Sequence, residues 1–272
     1  MQDATSSEDG GSVNVAADDG LLVVTISRPK KLNAMTEGMV EQIIQAALRF
    51  GDDATLRVML IRAEGRYFSA GMDVSGGRPT FAGSSYEARR YYRGIGIQRL
   101  GEILETVEKP VVVAHHAACL GGALELSLSC DFRLASDAAT YGLPEINIGV
   151  LPGSGGTSRL TRLLGPHWAR WLILAGETIS AQRALEVGLI HDVYPAAEFE
   201  QRVSEFCRKL GALPPEAFAI GKLAIELATD LERGQGRNVE RLANSVLFIG
   251  EERQQRLNAF LNRKRDPHPG GD

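Results

Sequence analysis

Apolar and polar positions along the chain switch between two periods, and each switch marks an element. "LLVVTISRP" (Leu21 to Pro29) is apolar and β-branched and ends at a proline, which reads as a strand. Met39, Ile43, Ile44 and Ala47 then recur at helical spacing, predicting an amphipathic helix over Thr36 to Phe50 with Thr36 as N-cap. "RVMLIRA" (Arg57 to Ala63) reads as a short, largely buried strand. Glycine and serine dominate the next stretch, and Val74 to Ser85 is expected to be a mobile loop. Helical spacing returns over Glu87 to Val107, with Tyr91, Ile95, Leu100, Ile103 and Leu104 as packing positions. "KPVVVAHH" is another buried strand, after which the chain crosses Gly121–Gly122 into a helix that carries Glu125. "FRLAS" is strand again. "YGLPEINIGVLPGSGGTSRL" is turn-rich, and Gly155 and Gly156 permit a tight turn into a helix capped by Thr157.

Strands alternating with helices predict an α/β architecture with crossover connections. From about Glu198 the pattern turns mainly helical, most clearly over Ala217 to Thr229 and Asn238 to Ile249. Three parts follow: a disordered lead-in over residues 1–12, a core over 13–197 and a helical region over 198–272. The helical region suits assembly or covering of the core. The last residues, "RDPHPGGD", are expected to fray, and no repeat of 20–50 residues is visible.

Composition narrows the class. The 272 residues are 44% hydrophobic and 24% charged, ordinary for a globular protein with a core of native size. A net charge of −4 argues against a general nucleic-acid surface. No apolar run reaches the roughly 18 residues that span a bilayer, so no membrane partner is expected. "MQDATSSEDGGSV" resembles neither a secretory signal nor an Arg-rich transit peptide. Cys119, Cys130 and Cys207 form no CxxC pair, which predicts reduced thiols and a cytoplasmic location. Cys119 lies near Glu125, but a small buried thiol is the simpler reading than a nucleophile.

Several chemical signals fail on spacing. "PGSGGTSRL" lacks the GK[ST] ending of a phosphate loop, and no GxGxxG follows a strand where a nicotinamide cofactor would need it. The five histidines show no HxxxH or HExxH, and no G-x-S-x-G elbow is present, so neither a metal nor a serine nucleophile is expected. Three separated pieces remain. "FSAGMD" (Phe68 to Asp73) is a strand entering a small-residue turn. "LGGALE" (Leu120 to Glu125) is a turn into a helix, and "LPEINIG" (Leu143 to Gly149) holds a second carboxylate among apolar residues. Small-residue turns and helix N-termini leave backbone N–H groups uncovered, and two of them from different segments can form an oxyanion hole. Glu125 and Glu145 can supply proton transfer, with pKa values displaced by burial.

With those pieces the sequence resembles the crotonase superfamily, the enoyl-CoA hydratase/isomerase family. The matching stretches are "SRPKKLNAM", "GRYFSAGMDVS", "KPVVVAHHAACLGGALELSLSCDFRLASDAATYGLPEINIGVLPGSGGTSRLTRLLG", "AQRALEVGLIHDV" and "NAFLNRKR". The resemblance implies a spiral of repeated ββα units, and a C-terminal helical region that builds homotrimers or dimers of trimers. It also implies acyl-CoA thioester substrates, with coenzyme A entering only as part of the substrate and no other cofactor. Carried over by position, the oxyanion donors are the N–H groups of Met72 and Gly122. Ala70, Asp73 and Val74 match positions along the coenzyme, as do Lys30, Lys31 and Leu32, while Phe260 and Arg263 match positions that reach a neighbouring subunit's coenzyme. Glutamates at both 125 and 145 are the hydratase pattern: Glu125 takes a proton from water attacking the β-carbon, and Glu145 protonates the α-carbon. Alternatives are a hydroxyacyl-CoA dehydratase, an enoyl-CoA isomerase, or a non-catalytic acyl-CoA- or RNA-binding member. The sequence departs from the family at "AHHAA", where His115 to Ala118 replace a Val-Asn-Gly-type approach to the glycine pair. His116 either alters the pocket or its electrostatics, or serves packing or solvent contact.

Overall fold

The computed structural model describes residues 11–75, 84–94 and 96–263. The chain divides into two units, residues 1–211 and 212–272.

The first unit opens with a hairpin of β1 (Ser12–Asp18) and β2 (Leu21–Ser27), paired antiparallel. Asp19 and Gly20 between them both take positive φ, 43° and 77°, the turn that matches strand twist in a two-residue hairpin. β1 is an edge strand with mostly exposed side chains, so it carries no apolar alternation, and Ser12 belongs to it rather than to the lead-in. Helix α1 (Glu37–Asp52) starts where the sequence predicts, with the Thr36 side chain accepting from the Met39 N–H at 3.2 Å. It buries Met39, Val40, Ile43, Ile44, Ala46, Ala47 and Phe50. β3 (Val58–Ala63) follows.

Residues 76–83 of the expected loop lie outside the described residues. The single helix expected over 87–107 is two, α2 (Ser85–Gly94) and α3 (Gly96–Thr106), because Gly96 adopts φ 69°, which an α-helix does not accommodate. Leu100 and Leu104 are buried as expected; the side chains of Tyr91 and Ile95 lie outside the described residues.

β4 (Val111–His115) leads through the short β5 (Cys119–Leu120) into α4 (Gly122–Leu128), then β6 (Phe132–Ser136) and β7 (Thr140–Gly142). Helix α5 (Gly156–Ala169), broken by a kink where Gly165 takes φ 75° and ψ 169°, is capped by Gly155, not Thr157; the Thr157 hydroxyl lies inside the helix and donates to the Pro152 carbonyl at 3.0 Å. β8 (Thr178–Ser180), α6 (Ala181–Glu186), β9 (Asp192–Tyr194) and α7 (Phe199–Gly211) complete the unit.

The main sheet has the order β1-β2-β3-β4-β6-β9, parallel from β2 onward, and β5-β7-β8 form a second small sheet. The central strands are covered on both faces, hence their continuous apolar runs. Met59, Ile61, Val111 and Val113 face the α1, α3 and α4 side. Val58, Leu60, Val112, Ala114 and Leu134 face α7, through Phe199, Val203, Cys207 and Leu210. That second core is why α7, the first helix after residue 198, groups with the sheet unit.

The second unit contains α8 (Pro215–Asp230), α9 (Arg233–Ile249) and α10 (Glu251–Arg263). Neither α8 nor α9 has a buried residue, and Ile225, Leu242 and Ile249 stand 71%, 71% and 87% exposed. No helix among the described residues is long and apolar enough to cross a membrane.

Candidate active site

In open parallel sheets, ligands bind beyond the carboxyl ends of the strands. Two such ends are built into one site here. From β3 the chain runs to Met72, which forms a parallel bridge with Met35. The bridge uses the Gly71 carbonyl, accepting from Met35 N at 2.8 Å, and the Asp73 N–H, donating to Met35 O at 2.8 Å. It leaves the N–H of Met72 itself on the opposite side. From β4 the chain passes through β5 to Gly122, the first residue of α4, whose N–H has no acceptor within the helix.

The two amides are neighbours. A Cβ on Gly122 would stand 3.5 Å from Met72 N, and one on Gly71 would stand 2.9 Å from the Leu120 carbonyl and 3.1 Å from Gly122 N. Gly71 and Gly121 also take φ 97° and 54°, so both the close approach and the backbone conformation demand glycine.

Glu125 points from the first turn of α4 and is 5% exposed. Its Oε1 accepts from Ser154 N at 2.7 Å and Gly156 N at 3.0 Å. The stretch that reads as a failed phosphate loop is therefore the cradle of Glu125. Arg159 locks this cradle: its Nη1 donates to the Ser154 carbonyl at 3.1 Å, and its other nitrogens pair with Glu105 on α3. Hydrogen bonding to Glu105 raises the Arg159 pKa further. Glu145 lies in a short 3-10 helix, Pro144–Ile148, directly after β7. Its Oε1 comes within 3.0 Å of where a Gly121 Cβ would be.

Met72, Gly122, Glu125 and Glu145 line one cavity of about 290 Å³, with Ala70 and Val74 beside them and Ile148, Val150 and Leu151 on its apolar side. Of the other expected positions, Lys30 and Lys31 sit exposed on a 3-10 turn ending at Leu32, whose carbonyl accepts from Ala70 N at 2.9 Å. Asp73 is engaged by Arg28, 2.6 Å from Nη1, and caps Ser75. Hydrogen bonds from Ser75 and Arg28 hold its carboxyl well below the usual range. Phe260 and Arg263 are on α10 in the second unit; Phe260 is 56% exposed, and the Arg263 side chain lies outside the described residues.

Sequence reading missed Arg28, Asn33 and Ser69. Asn33 is fully buried at φ 54°, donates to the carbonyls of Glu64 and Tyr67 and accepts from Arg28 N. The Ser69 hydroxyl donates to Asn33 O at 2.7 Å. Together they fix the segment before Met72. A polar residue inside "KKLNAM" was the only signal. His116 is not among the residues lining the cavity; its Nε2 donates to the Gly65 carbonyl at 2.8 Å. Burial pushes the Cys119 thiol well above its ordinary pKa, so it is a buried hydrophobe rather than a nucleophile.

The chain superposes on the enoyl-CoA hydratase of Bacillus anthracis with a TM-score of 0.83 at 31% identity, covering 96% of this chain and 99% of that one. The fold is thus the crotonase fold. Over residues 16–270 the sequence matches the Enoyl-CoA hydratase/isomerase family, and the chain belongs to that family. It is 31% identical to the crotonyl-CoA hydratase of Syntrophomonas wolfei over 91% of this chain and 94% of that protein. It is 33% identical to the short-chain-enoyl-CoA hydratase of Clostridium acetobutylicum, over 89% and 92%.

Proposed function

We propose that this protein is an enoyl-CoA hydratase that adds water across the 2,3-double bond of a trans-2-enoyl-CoA thioester. The observation that carries the reading is that two glutamates line one cavity with Met72 and Gly122, whose backbone N–H groups have no acceptor among the described residues. The N–H groups of Met72 and Gly122 hold the thioester oxygen. As water attacks the β-carbon, its proton passes to Glu125 and the double-bond electrons move onto that oxygen. Collapse of the enolate then takes a proton from Glu145 at the α-carbon. Loss of one oxyanion donor typically costs ~10²–10³ in rate. Ala70, Val74 and the Lys30–Leu32 turn lie along the coenzyme. The cradle around Oε1 of Glu125 supports its role as base, since it fixes one oxygen and orients the other.

The exposed apolar faces of α8 and α9 support a homo-oligomer, a trimer or a dimer of trimers, to which Phe260 and Arg263 contribute; light scattering checks it. Three buried free thiols suit a cytoplasmic setting.

The test is crotonyl-CoA hydration, followed by loss of the conjugated-thioester absorbance, for wild type, Glu125→Gln and Glu145→Gln. Turnover in wild type and its loss in both folded variants is the expected result. Full activity in either variant overturns the paired-glutamate mechanism. Binding without turnover across a panel of enoyl-CoAs would make the protein a binder.

A further inference from the structure

The core of the first unit holds a cluster that the proposed reaction does not use. The rings of Phe68, His115 and Tyr141 are all 0% exposed. His115 meets Phe68 edge-on at 4.7 Å and Tyr141 edge-on at 5.3 Å. The Tyr141 hydroxyl is also 3.1 Å from His115 Nδ1. Burial, helped by the nearby Arg133 guanidinium and His116, pushes the His115 pKa down to about 3, so the ring is neutral. Burial likewise raises the Tyr141 pKa well above its usual value.

Each ring stands at the root of one site segment. Phe68 precedes Met72 by four residues, His115 precedes Gly122 by seven, and Tyr141 precedes Glu145 by four. The backbones of these segments are stitched together just above. Ser69 N donates to Ala118 O, Leu120 N to Ser69 O, and Gly121 N to Gly142 O, at 3.1, 3.0 and 2.9 Å. Cys119 registers against Tyr141 in the small sheet.

We propose that His115 and Tyr141 are a positioning pair that sets the relative placement of the two backbone donors and Glu145. The inference rests on the hydratase reading of the site. Its physical ground is cost. Among the described residues the buried His115 Nε2 has no hydrogen-bond partner, an arrangement that lowers stability relative to an apolar side chain of similar size. Apolar packing is non-directional, whereas one hydrogen bond between β4 and β7 fixes their rotation and spacing. The chain keeps the imidazole where that constraint bears on the site.

The test uses Tyr141→Phe, His115→Leu and His115→Asn, the last keeping an acceptor near the Nδ1 position. Two readouts are taken: kcat and KM for crotonyl-CoA, and the red shift of bound 4-dimethylaminocinnamoyl-CoA, whose absorbance reports carbonyl polarisation. Tyr141→Phe and His115→Leu are expected to lower kcat about tenfold or more, with KM within about twofold, and to shrink the red shift. His115→Asn is expected to retain most of it. Unchanged kcat and red shift in Tyr141→Phe, whatever the thermal midpoint, overturn the proposal. That variant removes one oxygen and keeps the ring, so it decides alone if His115→Leu does not fold. If wild type turns over no enoyl-CoA yet shifts the probe, the hydratase reading fails. The red shift in Tyr141→Phe then decides the positioning role by itself. No red shift in wild type overturns the proposal, since there is then no hole to set.

Discussion

Gly156→Ala isolates the placement of Glu125. The residue opens α5, and its N–H is one of the two that hold Oε1 of Glu125. An added Cβ would stand 2.8 Å from Glu125 Cγ, 2.8 Å from Pro152 Cβ and 2.9 Å from Glu125 Oε1. Ordinary contact begins near 3.4 Å, so each approach is short by roughly half an ångström. Gly156 is not among the positive-φ residues, so alanine fits its backbone. Strain is therefore not the effect; the carboxylate has to move. A 1 Å misplacement of a catalytic group can cost about 10²-fold in rate, so half an ångström is worth about tenfold, or about 1.4 kcal/mol of barrier. Overpacking costs about 1–3 kcal/mol of stability. Initial rates of crotonyl-CoA hydration beside thermal midpoints should thus show a large kcat loss in a protein only modestly destabilised. Gly165→Ala is the control. At φ 75° and ψ 169°, with no neighbour within 4 Å among the described residues, the added Cβ brings backbone strain of about 1–3 kcal/mol without a clash and should leave kcat intact. A Gly156→Ala enzyme with kcat within about threefold of wild type would refute the claim that the 154–156 cradle sets Glu125.

Three further outcomes are expected. His115 binds its proton near pH 3 when folded and near 6.5 when unfolded, so its contribution is complete above about pH 6.5 and is lost as pH falls toward 3. At about 1.4 kcal/mol per pH unit, urea unfolding should show about 2 kcal/mol lost by pH 5 from this residue. The slope should flatten in His115→Leu, and an unchanged slope would contradict the assignment. Thr36→Ala removes the cap of α1 and should cost about 1 kcal/mol, a fall of about 2–4 °C in thermal midpoint, with activity retained. Arg159→Lys keeps the charge but loses the fork that grips both Glu105 and the Ser154 carbonyl, so kcat should drop several-fold. Equal kcat would show that Ser154 needs no such brace.

Local chemistry was readable in advance wherever it depended on near neighbours. Thr36 and the apolar stripe of α1 lie within one helix, so their pattern alone predicts the element. Glu125 was conspicuous because a carboxylate in an apolar run needs a reason. The partners that supply the reason were not readable. Ser154 and Gly156 lie 29 and 31 residues away, and their contribution is backbone N–H, which leaves no mark in side-chain identity. Asp73 and Arg28 meet across 45 residues for the same reason of distance. The break at Gly96 sat within a helical pattern, where a glycine is ordinarily tolerated. β1 escaped because an exposed edge strand needs no apolar face.

The amides of Met72 and Gly122 carry one last consequence. Truncating the Met72 side chain leaves its N–H in place, and Gly122 has no side chain to truncate. An alanine scan would therefore delete neither donor: at Met72 it would leave the N–H in place, and at Gly122 it would report only the crowding of an added Cβ, 2.8 Å from Ile97 Cδ1. Only proline or a backbone ester deletes such a donor. In this protein, mutational sensitivity and chemical importance need not fall on the same residues.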